Sequence, residues 1–159
     1  EHSSQIVSRG DKTGDYETFF IWTQRAGLTP SIEDDLEETM EKGKAIVIID
    51  PIKTISPDER LALSKYVENG NSILLMVDEK GEGSELIKSF GMDTYTIPEP
   101  ANKIGQKRSA EQNLPIDPWG LAIKGGESLL TIGNRTVLAE ATYGNGRFIL
   151  FTESSVFKD

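Results

Sequence analysis

Two stretches of the chain are apolar without a break, "AIVII" at 45–49 and "ILLMV" at 73–77. Runs of this length without polar alternation are the mark of strands covered on both faces. Each ends on an acid, Asp50 and Asp78. Between them, "SPDERLALSKYVENG" switches to a helical period. Ser56 is placed as N-cap, Pro57 at the first helical position and Glu59 three residues on, which completes a capping box. Leu63, Tyr66 and Val67 give this helix its buried face, and Gly70 stops it.

The same reading extends along the chain. "GDYETFFIWTQRAG" predicts a helix near 15–26, with Tyr16, Phe19, Phe20 and Ala26 on one face, Trp22 in or near the core and Gly27 as the stop. "LTPSI" is a short strand with Pro30 at its edge. "EDDLEETMEKG" is a short helix on which Leu36 and Met40 share a face. "SELIKSFG" predicts a helix over 84–90, capped by Ser84 and ended by Gly91. "DTYTI" is a further strand. Residues 1–13 carry no clear pattern.

Residues 98–127, with prolines at 98, 100, 115 and 118, predict a long irregular connection, the least rigid part of the domain. Ile104, Leu114, Ile116 and Trp119 are its expected anchors, and Lys103, Lys107 and Arg108 form a solvated basic cluster. The chain then turns β-rich: "SLLTI", a turn holding Asn134-Arg135-Thr136, "TVLAEAT", the strong Asn145-Gly146 hairpin signal, and "RFILFT". Strands alternating with helices through residue 97 predict a mostly parallel sheet with helices on both faces, and the C-terminal hairpin adds antiparallel strands. Ile46, Ile48, Leu74 and Met76 are expected to be almost wholly buried.

The 159 residues suit one domain with a sizeable core. Composition narrows the chemistry. With 26 acidic against 17 basic residues the net charge is −9, which argues against nucleic acid as a partner. There is no cysteine, and the one histidine is His2. Thiolate or histidine metal sites, Cys nucleophiles and Ser–His machinery therefore lack their parts. No apolar run approaches the ~18–20 residues that span a bilayer, and no signal peptide is visible. The sequence opens on Glu1 without Met and closes on Asp159, so it is read as a domain of a longer chain, with membrane anchoring through flanking segments.

The candidate site lies at the strand ends. If the two apolar strands are neighbours, Asp50 and Asp78 stand about one strand spacing, ~5 Å, apart. Glu153, after "RFILFT", is placed to join them. The ligand-binding candidates are Asp50, Asp78, Glu79, Glu153, Ser154 and Trp119. A carboxylate cluster of this kind could hold Mg²⁺ or Ca²⁺ or act as an acid/base pair. Acids at strand ends also cap the next turn through backbone N–H groups. Six or more oxygens are needed to hold Ca²⁺ well, and too few are in view. The expectation is that Asp50 and Asp78 face water or accept backbone N–H bonds, with no metal, no cofactor and no catalytic residue.

Together "AIVIIDP", "SPDERLALSKYVENGNSILLMVD", "LIKSFGM" and "YGNGRFILFTESSVF" resemble an uncharacterised domain family with the class I glutamine amidotransferase-like fold, over roughly Ser3 to Phe157. Gliding-motility and intraflagellar-transport proteins are among the relatives of that type. The resemblance implies a single α/β domain over 1–159, a three-layer sandwich around a mostly parallel flavodoxin-like sheet with a C-terminal β-hairpin. It also implies a domain outside the cytoplasmic membrane, between membrane segments. In that fold the nucleophilic Cys occupies the turn after the strand matching "SILLMV". Here the turn reads Asp78-Glu79-Lys80-Gly81, so a glutaminase is excluded. The function expected is a non-catalytic domain of a larger, membrane-associated protein that binds a protein partner or a small ligand. The alternative is a hydrolase acting through Asp50, Asp78 and Glu153, with carbohydrate as the substrate suggested by fold analogy.

Overall fold

A computed structural model describes residues 5–7, 16–32, 35–78, 82–99 and 116–157. The two apolar runs form β2 (Ala45–Ile49) and β3 (Ser72–Met76), side by side and parallel. β1 (Gln5–Val7) pairs parallel with β2, and β8 (Gly146–Phe151) pairs parallel with β3. β7 (Arg135–Tyr143) and β6 (Glu127–Ile132) then continue the sheet antiparallel, giving the order β1-β2-β3-β8-β7-β6. The protein is thus an α/β domain on a mixed sheet, parallel on the β1 side and antiparallel beyond β8.

The unbroken apolar character of β2 and β3 has a direct structural cause. Strand side chains alternate between faces, and each face carries its own core. Ile46, Ile48, Ile73, Leu75, Phe148 and Leu150 pack with Leu63, Tyr66 and Val67 of α3 (Pro57–Glu68) and Leu86 and Ile87 of α4 (Ser84–Ser89). Val47, Ile49, Met76 and Phe151 point the other way and pack with Phe19 of α1 (Glu17–Arg25). Ile46, Ile73 and Leu75 have no exposed surface. Burying side chains of this size stabilises by about 1.5–3 kcal/mol each.

The capping box of α3 forms as expected. Glu59 N–H donates to Ser56 Oγ at 3.2 Å, and Ser56 N–H donates to Glu59 Oε2 at 2.8 Å. Gly70 follows with φ 96°, a left-handed conformation that costs a residue with Cβ. Asp35, rather than a serine or threonine, caps α2 (Leu36–Lys42), accepting from Glu38 N–H at 2.9 Å.

The structure departs from the sequence reading in several places. β1 falls within the stretch read as unpatterned, because three residues are too few to show a period of two. β4 (Asp93–Ile97) does not extend the main sheet. It pairs antiparallel with β5 (Gly120–Lys124) in a separate two-stranded sheet. Residues 120–124 and 127, read as part of a long loop, are therefore β5 and the start of β6, joined by a bend at Gly125-Gly126. Ile116 is buried as an anchor, whereas Lys103, Ile104, Lys107, Arg108 and Leu114 lie outside the described residues. Thr29 and Ile32 of "LTPSI" form isolated bridges only. Leu74 is half-buried, not wholly buried like Ile46, Ile48 and Met76. Trp22 is not a core residue: it is 59% exposed, with the Arg25 guanidinium over its ring at 5.3 Å. Gly83, not Ser84, is the N-cap of α4.

One packing contact carries a pH prediction. The buried Tyr66 hydroxyl donates to the Gly43 carbonyl at 3.0 Å, tying α3 to the C-terminal end of α2 just before β2. Burial disfavours the phenolate and pushes this tyrosine up to about 12, from 10.0. The folded state thus holds its proton where the unfolded chain releases it. The contribution is complete below pH ~10 and lost as pH rises toward ~12. Chemical unfolding of wild type and Tyr66→Phe across this window should show the wild type losing more stability than the variant.

Candidate functional site

β2 delivers Asp50 to the carboxyl end of the sheet with φ 40°, left-handed backbone that Asp tolerates better than most residues. Its N–H still donates to the Met76 carbonyl at 2.9 Å, so the turn begins one residue past the ladder. The carboxylate then becomes a shared acceptor. Asp78 N–H reaches Oδ1 at 3.1 Å. Ser154 Oγ lies 2.7 Å from Oδ1 and 2.8 Å from Oδ2, its one proton shared between them. The Tyr16 hydroxyl donates to Oδ2 at 2.5 Å. Four chain segments meet on this one side chain. Asp50 is half-buried and Ser154 wholly buried.

The predicted neighbours separate into two groups. Asp50, Asp78 and Ser154 come together, with Asp78 contributing its backbone N–H as an acceptor-capping turn requires. Glu153 does not join them. Its carboxylate pairs with Arg135, whose guanidinium is 1% exposed. Arg135 Nε donates to the Leu121 carbonyl at 2.8 Å, and Nη1 donates to the carbonyls of Asp117 at 2.9 Å and Trp119 at 2.6 Å. Nη2 reaches the Thr152 carbonyl at 3.4 Å as well as Glu153. Trp119 is half-buried and enters this arrangement through its carbonyl, not its ring. Glu79 lies outside the described residues.

Two participants were missed by the sequence reading. Tyr16 was taken as a core-facing helix residue, and its hydroxyl was given no role. Arg135 was read as part of a hairpin turn, yet it is the first residue of β7 and fully buried. The signal was present. Tyr143 pairs with Gly146 across the Asn145-Gly146 hairpin. Followed outward, that register brings the start of β7 alongside the segment after β8, where Glu153 lies.

Chemically, the Asp50 carboxylate is committed to two hydroxyls and an amide, and that of Glu153 to a guanidinium. A proton abstraction or a divalent cation at Asp50 would have to displace those donors. Among the described residues, no three acidic or histidine side chains gather as a metal site would require.

No family model matches the chain, and no curated protein does. Solved structures do. The chain is similar to the mmIFT52 N-terminal domain, with TM-score 0.71 and 18% identity over 98% of this chain and 88% of that one. It is similar to the exo-beta-1,4-mannosidase Op5Man5 from Opitutaceae bacterium strain TAV5, with TM-score 0.59 and 12% identity over 98% of this chain. The match takes in only 32% of the mannosidase. The cytoplasmic protein STM3548 from Salmonella typhimurium matches with TM-score 0.54 and 12% identity, over 94% of this chain and 86% of that one. At these identities the likeness is one of fold.

Proposed function

We propose that this chain is a non-catalytic, amidotransferase-like domain, a three-layer flavodoxin-like sandwich, that binds a protein partner or small ligand within a larger, membrane-associated protein. The observation that carries this reading is the state of Asp50. The side chain best placed for chemistry at the strand ends accepts hydrogen bonds from Tyr16, Ser154 and the Asp78 amide. Through the Asp78 amide it is a structural acceptor for the turn on which an amidotransferase of this fold carries its nucleophile. The missing cysteine and the absence of any histidine besides His2 point the same way. The overall likeness to the mmIFT52 N-terminal domain, nearly end to end in both chains, supports a free-standing domain of this type.

The membrane assignment rests on the sequence resemblance. Among the described residues no helix is long and apolar enough to cross a membrane. On that resemblance alone, our reading puts anchoring in flanking segments and the domain on the extracytoplasmic side. The rival reading, a carboxylate-dependent hydrolase acting on carbohydrate, draws on the likeness to part of a mannosidase chain. The pairing of Glu153 with Arg135 speaks against it, since it removes the third carboxylate from the set.

The test is turnover. Purified domain should release no ammonia from glutamine and no chromophore from aryl β-mannosides or β-galactosides. Glycoside turnover lost in both Asp50→Asn and Asp78→Asn would establish the hydrolase instead.

A further inference from the structure

The Arg135 and Asp50 networks meet in three consecutive residues. Thr152, Glu153 and Ser154 follow β8 directly. Thr152 and Ser154 are 2% and 0% exposed. Thr152 is clamped to β7: its N–H donates to the Val137 carbonyl at 3.0 Å, and its own carbonyl accepts from Arg135 Nη2 at 3.4 Å. Glu153 gives its carboxylate to the same guanidinium. Ser154 turns to the other network and donates to Asp50.

Each network reaches a different part of the chain. Arg135 holds the carbonyls of Asp117, Trp119 and Leu121, on the segment that enters β5. A Cβ built on Gly120 would lie 3.2 Å from Nη2, so the guanidinium packs directly on this backbone. Asp50 holds the Tyr16 hydroxyl at the head of α1 and the Asp78 amide after β3. Buried groups packed this closely pass a displacement on to their neighbours.

We propose that residues 152–154 are a relay that makes the 117–121 segment and the strand-end turns at Asp50 and Asp78 one coupled unit. A backbone displacement at Glu153 moves the carboxylate held by Arg135 and the hydroxyl held by Asp50 together, because the two groups sit on adjacent residues. Hydrogen-bond networks and packed side chains carry coupling between sites in this way. An event that moves one end therefore alters the other, and for equilibrium binding the effect is equal in both directions. The relay is a property of the fold and stands whatever partner or ligand the domain binds.

Equilibrium unfolding of wild type, Tyr16→Phe, Glu153→Gln and the double variant tests it. The two positions lie in different networks, and each substitution keeps the shape of its side chain. Independent sites would give the double variant an unfolding constant within about twofold of the product of the single effects. The relay predicts that the second substitution costs less once the first is made, so the constant falls short of that product by about fivefold or more. In a Ser154→Ala background the shortfall should shrink to within about twofold. Additivity in the native background would overturn the relay, and so would a shortfall that survives Ser154→Ala. Tyr16→Phe by itself gives a check that does not require Glu153→Gln to fold. Its backbone amide NMR shifts should change at 152–154 and onward at Leu121 and Arg135. Changes confined to α1 and the turns at residues 50 and 78 would overturn the proposal.

Discussion

Arg135→Ala should destabilise the domain by about 3–5 kcal/mol, the range expected when one partner of a buried ion pair is removed and the other stays. Arg135 is 1% exposed and has no way to be replaced by water without reorganising its surroundings. Its loss strands the Glu153 carboxylate and leaves the carbonyls of Asp117, Trp119 and Leu121 without their donor. Arg135→Lys should recover only part of the loss, since an ammonium cannot present the guanidinium fork to acceptors on several sides. Glu153→Gln in the Arg135→Ala background should be partly restorative, because it removes the unpaired charge. Denaturant unfolding of the four proteins gives the comparison. Equal stability of wild type and Arg135→Ala would mean that the guanidinium is not the tie between β7, the 117–121 segment and the end of β8.

Gly146→Ala should cost about 3 kcal/mol or more, for a steric reason. A Cβ built on Gly146 would lie 2.1 Å from the carbonyl oxygens of both Val67 and Asn71. Those oxygens are fixed: Val67 accepts from Gly70 N–H, and Asn71 accepts from Arg147 N–H. The hairpin tip is seated on the end of α3, with Asn145 N–H donating to the Glu68 carbonyl at 3.0 Å. Gly27→Ala is the useful control. There a Cβ meets nothing within 4 Å, but φ is 82°, so its cost should be the smaller backbone penalty of about 1–2 kcal/mol. Unfolding midpoints of the two variants separate crowding from backbone strain. The account of the hairpin seat fails if Gly146→Ala is the milder of the two.

The Asn145-Gly146 pair also marks how much of the molecule could be read in advance. Its hairpin, the two apolar strands and the Ser56–Glu59 box are local signals, in which a few adjacent residues name their own conformation. β1 and the β4–β5 pair are not of that kind. β1 is too short to show alternation, and β4 resembles any short strand until its partner is known. The same division runs through the site. Asp50 and Asp78 are visible as acids closing apolar runs, and their adjacency follows from strand pairing. Ser154 was read as a ligand-binding candidate after the last strand. Its actual acceptor, 104 residues away, is set by β8 lying beside β3. Tyr16 and Arg135 act through groups whose partners only the tertiary arrangement supplies. Trp22 failed for a related reason: its apolar character suggests burial, while the rotation of a half-covered helix turns it outward.

The most direct measurement of the central claim, that Asp50 is a structural acceptor and not a working carboxylate, is the melting temperature of wild type and of Asp50→Asn/Asp78→Asn, each with and without millimolar Ca²⁺ or Mg²⁺. The account predicts a wild type unmoved by either cation. It predicts a double variant that melts several degrees lower in all conditions, because an amide at residue 50 cannot replace the charged acceptor shared by Tyr16 and Ser154. A rise of several degrees with metal in the wild type, absent from the double variant, would contradict it and make these carboxylates a cation site.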